Sequence, residues 1–191
     1  MSASGNIVRL ALRTRQAASK LASDIRGFAA VEFAMVVPVM VVMLLGSVEL
    51  SDALTVDRRV TAIASSIADL VAQSASVSSA DVKDIMRIGD SLLGKYSSSY
   101  MQLSVTSLTA NAAGDATVLW SRDRRGGQPY AAGAPYPNLP AGLIDPNGGL
   151  IITNVKYSYR SPIGHFIHGP ITLNQTFYLR PRKSLTVTMA N

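Results

Sequence analysis

Residues 28–48 read FAAVEFAMVVPVMVVMLLGSV, an apolar run in which Glu32 is the only charge. As an α-helix rising about 1.5 Å per residue, this run reaches roughly 31 Å, close to the ~30 Å hydrocarbon core of a bilayer. The competing reading is the core helix of a soluble domain. It fails because no other stretch of the chain is apolar enough to surround such a helix. Outward from the run the charges are asymmetric. Arg9, Arg13, Arg15, Lys20 and Arg26 precede it with Asp24 as the only acid, whereas Glu49, Asp52 and Asp57 follow it. The positive-inside rule places the N-terminus in the cytoplasm and the bulk of the chain across the membrane. An ordinary cleaved secretory signal fits less well, since the run is long for an h-region and no small-x-small site follows it.

The totals narrow the function classes. A chain of 191 residues holds one modest globular domain beside a membrane segment. The formal net charge is +6, but residues 1–26 carry +4 of it and the chain from Phe28 onward only +2. That remainder lacks the dense cationic footprint that phosphate neutralisation requires, so no nucleic-acid partner is expected. Cysteine is absent, which excludes disulfides, thiolate metal sites and cysteine nucleophiles. His165 and His168 are the only histidines, and two ligands without a third make no metal site. Gly89-Asp90-Ser91-Leu92-Leu93-Gly94-Lys95-Tyr96 approaches a phosphate-binding loop, but a helical pattern precedes it and Tyr96 stands where a Mg²⁺-binding hydroxyl is needed. Gly94 reads better as a helix C-cap. No nucleophile elbow occurs. The expectation is a non-enzymatic chain with no cofactor and no small-molecule substrate.

The junction Arg26-Gly27-Phe28-Ala29-Ala30-Val31-Glu32-Phe33 carries the most specific signal. A small residue ends the basic leader, an aromatic opens the apolar run, and a glutamate takes the fifth position of that run. This resembles the processing site of type IV prepilins, cut between Gly27 and Phe28 by a membrane aspartic peptidase. The wider string GFAAVEFAMVVPVMVVMLLGSVEL (27–50) is similar to the start of the TadE-like family, pseudopilins of the tight-adherence (Flp) pilus machinery. The tail Phe177-Tyr178-Leu179-Arg180-Pro181-Arg182 is similar to that family's C-terminal segment. The likeness is strong over residues 26–60, weaker over 150–190, and absent between them.

The resemblance implies a basic leader (1–27), a transmembrane helix (28–50) and an extracytoplasmic α+β domain (51–191), held as a single pass in the bacterial inner membrane. It implies a processed pseudopilin or minor pilin used in pilus assembly for surface attachment. Its partners would be a prepilin peptidase, other pilins and pilus-assembly membrane proteins. It also gives Glu32 a role. An unpaired carboxylate inside a bilayer costs about 2.5–3.5 kcal/mol on insertion scales. Cleavage would expose an α-amine on Phe28, one helical turn from Glu32, and side-by-side helices let one subunit's carboxylate neutralise its neighbour's amine. The alternative is an uncleaved, signal-anchored extracytoplasmic binding domain, in which Glu32 snorkels to the interface and Gly27 is merely flexible.

Beyond the run the helical period continues, with Val56, Val60, Ile63, Ile67 and Leu70 forming an apolar seam. Pro38 removes one backbone bond from this helix, and either permits a bend or is simply tolerated. The serine-rich stretch 74–79 ends the helix. Ser78 with Asp81 opens a second one that turns Val82, Ile85, Met86, Leu92 and Leu93 inward. From residue 101 the period becomes two, with strands at 101–106, 116–120, 150–160 and 171–180 and a short one at 184–189. Residues 124–149 hold six glycines and five prolines and form a long loop, in which Tyr130 and Tyr136 either meet a partner or pack locally. Arg180, Arg182 and Lys183 either face an acidic partner or cap a solvated strand end. The expected class is α+β: a pilin-like long N-terminal helix, half transmembrane and half extracytoplasmic, followed by a small antiparallel sheet domain.

Overall fold

The computed structural model describes residues 25–164 and 166–190, so most of the expected leader and His165 lie outside the described residues. Helix α1 spans Ile25–Ala72 and continues through Pro38, its only proline. Hydroxyls along α1 are spent on its own carbonyls, as where Ser47 Oγ donates to Leu44 O at 2.8 Å and Thr55 Oγ1 to Ser51 O at 2.8 Å. Contacts divide the chain between Val48 and Glu49 into two compact units.

In the N-terminal unit the helix carries its apolar side chains uncovered. Phe28, Val31, Phe33, Met35, Met40, Met43 and Leu44 are each at least 60% exposed. Among the described residues, α1 is the one helix long and apolar enough to cross a membrane, and none of its most apolar window is buried.

The second unit, from Glu49 onward, is an α+β domain. Its share of α1 buries Val56, Val60, Ile63 and Ile67 completely, as the seam requires. The next seam residue is Val71 rather than the expected Leu70, which is only half-buried. An α-helix drifts about 20° per heptad against a strict 3.5-residue repeat, so after two heptads the core-facing position has moved on by one residue.

Helix α2 (Ser79–Leu93) starts on the expected capping box. Ser78 Oγ accepts from Asp81 N at 3.1 Å, and Asp81 Oδ2 accepts from Ser78 N at 2.9 Å. Its buried face is Val82, Met86, Gly89 and Leu93, while Ile85 is half-buried and Leu92 is exposed. Steps of four, three and four define that face, and Leu92 lies about 100° away from Leu93 on it. Gly89 is what brings the two helices close. A Cβ there would stand 3.2 Å from both Ile63 Cγ2 and Ile67 Cδ1.

Four strands form the sheet in the order β3-β2-β4-β5, with every neighbour antiparallel: β2 (Met101–Ala110), β3 (Ala116–Asp123), β4 (Gly149–Tyr159) and β5 (Ile171–Leu179). Alternation turns Met101, Leu103, Val105, Ile151, Val155, Tyr157 and Tyr159 toward the cluster built on the α1 seam. The opposite face is covered at one end by the glycine- and proline-rich loop. Tyr130, Tyr136, Leu139, Leu143 and Ile144 pack there on Leu108, Val118, Leu150 and Ile152. The two tyrosine rings lie 4.9 Å apart, so of the two readings of this pair the local packing is the one observed.

The terminal segment departs from the expected meander. Instead of joining the sheet over 184–189, the chain forms β6 (Thr188–Ala190), which pairs in parallel with β1 (Ser76–Ser78) inside the serine-rich stretch. Three-residue strands carry no readable period. The position is fixed by buried Val77 and Val187, and by Val187 O, which accepts from Trp120 Nε1 at 2.7 Å and Ser107 Oγ at 2.9 Å.

Gly94 ends α2 at φ 68° and ψ −122°, with Arg59 Nη1 donating to Leu92 O and Leu93 O at 3.2 Å each. A Cβ at Gly94 would run into that Nη1. Gly94→Ala should therefore cost about 1–3 kcal/mol, from the backbone conformation and the displaced cap together. Thermal unfolding of the detergent-solubilised chain reads this as a lowered Tm, with Gly114→Ala, where a Cβ meets nothing, as the comparison for positive φ alone.

Candidate functional site

Gly27, Phe28 and Glu32 all lie on α1, near its first turns. Gly27 is fully helical, and a Cβ added to it would meet nothing within 4 Å. Neither packing nor backbone geometry requires glycine there, although glycine in a helix costs about 1 kcal/mol relative to alanine. Phe28 is 73% exposed, and Glu32, one turn further along the same helical face, is exposed too. No other described residue forms an ion pair or hydrogen bond with Glu32. The helix thus presents a glycine, an aromatic and a carboxylate, all exposed.

The acids just after the apolar run behave differently. Glu49 stands seven residues before Val56, on the same seam, and is 1% exposed. Its Oε2 accepts from the backbone N–H groups of Phe166 at 3.2 Å and Ile167 at 2.9 Å. One turn on, Asp52 accepts from Tyr96 Oη at 2.7 Å and Lys95 Nζ at 3.3 Å on Oδ1, and from Tyr159 Oη at 2.9 Å on Oδ2. Burial pushes the Asp52 carboxyl up, but the hydrogen bonds from Tyr96, Tyr159 and Lys95 together outweigh it and hold the carboxyl below its ordinary value. Tyr159 is pushed up to about 12, first by burial and then by the bond to Asp52. Asp57 accepts from Gln175 Nε2 at 3.2 Å. These three carboxylates bind α1 to the segment before β5, to the end of α2 and to both β4 and β5.

An apolar helix with an exposed glycine–aromatic–glutamate entry, running into a seam keyed by buried acids, is a distinctive arrangement in sequence as well as in space. Residues 27–69 match the TadE-like protein family. The match covers the apolar run, Glu32, the acids Glu49, Asp52 and Asp57, and the seam as far as Ile67. It associates the chain with the pilus-assembly systems in which TadE-like proteins act, and the apolar helix is consistent with a single-pass membrane anchor. No curated protein and no solved structure matches the chain.

Other residues weighed from sequence fall elsewhere. His168 is exposed, and among the described residues no three His, Cys, Asp or Glu side chains come together as metal ligands. Two of the three basic tail residues serve the domain itself: Arg180 forms a two-bond pair with Asp145 at 2.6 and 3.1 Å, and Arg182 pairs with Asp69 at 2.6 Å, while Lys183 is exposed. Sequence reasoning counted Glu49 and Asp52 only as acidic flank. The available signal was position, since Glu49 extends the seam backward by one heptad and an acid at a seam position needs a partner.

Tyr159→Phe should destabilise the chain by about 1.5–3 kcal/mol at neutral pH, the value of a hydrogen bond to a charged acceptor. The pH dependence has a definite sign. Asp52 has a depressed folded pKa, so its contribution is full above its unfolded value near 4 and is lost as pH falls through the lower folded value. Tyr159 has a raised pKa, so its contribution is present below about 10 and is lost as pH rises toward about 12. In a Tm-against-pH series, Tyr159→Phe should flatten the alkaline decline and weaken the acid one.

Proposed function

We propose that this chain is a processed pseudopilin or minor pilin of a Tad/Flp-type machinery. A prepilin peptidase removes the leader after Gly27, and α1 then anchors the subunit in the inner membrane with its α+β domain on the extracytoplasmic side. The role is structural and non-catalytic, in assembly of a pilus used for attachment, and the partners are other pilins and pilus-assembly membrane proteins. One observation carries the reading. A helical glycine whose Cβ would meet nothing sits one residue before an exposed aromatic and five before an exposed carboxylate with no partner among the described residues, at the start of a TadE-like segment. A peptidase that needs a small residue at the cut explains the glycine. A new α-amine on a neighbouring Phe28 explains the carboxylate, because each charge removes the other's desolvation cost at membrane depth.

Intact mass and N-terminal sequencing of the membrane-extracted protein test the first step. The mature chain is expected to begin at Phe28. A chain that keeps the basic leader in piliated cells favours instead an uncleaved, signal-anchored domain. Since residue 27 is exposed and a Cβ there meets nothing within 4 Å, Gly27→Leu should leave the fold intact and accumulate full-length precursor.

Glu32→Gln separates cleavage from assembly. The amide keeps the shape of the side chain but cannot neutralise an amine. Mature protein at ordinary levels with a severe loss of pili is the expected outcome, scored by immunoblot and electron microscopy. Ordinary piliation in this variant would remove the pairing role from Glu32.

A further inference from the structure

The two edges of the sheet are finished differently. The outer edge of β3 is closed by the chain's own loop. Val118 N donates to Ala134 O at 2.9 Å, Gly133 N donates to Val118 O at 2.8 Å, and Asp123 N donates to Gly127 O at 2.9 Å. The other edge is β5. It pairs with β4 over nine residues without a register shift, and among the described residues its backbone bonds to no other segment. Proteins ordinarily blunt such an edge with a charge, a proline or a bulge. Ile171–Leu179, reading ITLNQTFYL, holds no charge and no proline, and its ladder shows no bulge.

The order of residues in β5 points to what it pairs with. Leu173, Phe177 and Leu179 pack toward the main core, so the odd positions form the inner face and Thr172, Asn174, Thr176 and Tyr178 the outer one. When the strand is laid antiparallel on a copy of itself about Gln175, Ile171 meets Leu179, Leu173 meets Phe177, and Asn174 meets Thr176. Each apolar residue of the inner face then meets another, the polar residues at the centre of the outer face meet each other, and no like charges oppose. A centre one residue earlier sets Leu173 against Gln175, and one residue later sets Gln175 against Phe177. Thr172 then meets Tyr178 on the outer face, and only the Gln175 centre uses all nine residues and keeps the inner face matched.

We propose that β5 is a self-pairing edge through which two copies of this chain join their sheets about a two-fold axis at Gln175, making one eight-stranded sheet. The contact is isologous, so it closes after two copies and does not propagate along the edge. It requires no leader processing and stands apart from the pilin reading above.

The absence of cysteine makes the test specific. In the full-length chain in native membranes, Gln175→Cys places two thiols on directly opposed residues, with Cα atoms about 4.5–5.5 Å apart, inside the range a disulfide spans. Under mild oxidation a disulfide-linked dimer of this chain is expected. Thr172→Cys places its thiols about 20 Å apart and should give on the order of tenfold less dimer. As a second arm that leaves Gln175 and its bond to Asp57 in place, co-expressed Asn174→Cys and Thr176→Cys should form the mixed dimer in preference to either self-dimer. Equal cross-linking at residues 172 and 175 overturns the proposal. So does failure of both arms while the thiols react with a maleimide, or cross-linking of residue 175 only to some other protein.

Discussion

Everything in this chain depends on one helix meeting two kinds of surroundings within a single residue step. Through Val48, α1 carries large apolar side chains that are exposed; from Glu49 on, its seam is closed by a folded domain. An aqueous solvent tolerates the second segment but not the first, whose exposed surface is continuous over about six turns of helix. Burying a Val or Ile side chain contributes about 1.5–3 kcal/mol, so the seam supplies a large part of the domain's core. The same chemistry makes the first segment consistent with a single-pass membrane anchor.

Three acids on this helix illustrate how surroundings decide what a carboxylate does. Glu49 is buried among backbone donors from the segment before β5, and Asp52 is held by two tyrosines and a lysine. Both are used within the chain. Glu32 has no partner among the described residues, and in the proposed reading, where it lies at membrane depth, its complement is the amine of a neighbouring subunit. The contrast is physical: a carboxylate near backbone N–H groups and hydroxyls is satisfied locally, whereas a helix surface of Ala, Val, Phe and Met offers no donor.

The domain's polar contacts serve closure more than chemistry. Arg59 caps α2, Arg182 donates its backbone N–H to Ala72 O at the end of α1 and pairs with Asp69, and Arg180 ties the long loop to the end of β5. These exposed or half-exposed pairs contribute little individually, about 0–1 kcal/mol each, but they fix where loops and termini lie. The loop in turn buries one end of the second face of the sheet and closes the β3 edge, which leaves β5 as the edge whose backbone bonds to no other described segment.

Periodicity and punctuation alone determined the apolar run, the helix through 72, the capping box at Ser78, the cap at Gly94 and the alternating strands, because each is written in residues close together in the chain. The pattern of Gly27, Phe28 and Glu32 is likewise written in residues close together in the chain. Tertiary structure decided what depends on residues far apart. The parallel pairing of Ser76–Ser78 with Thr188–Ala190, the folding of Tyr130 and Tyr136 onto the sheet and the burial of Glu49 under Phe166 and Ile167 have no local period to announce them. Sequence records which residues seek burial or a partner; only the closed fold determines which distant groups arrive to provide it.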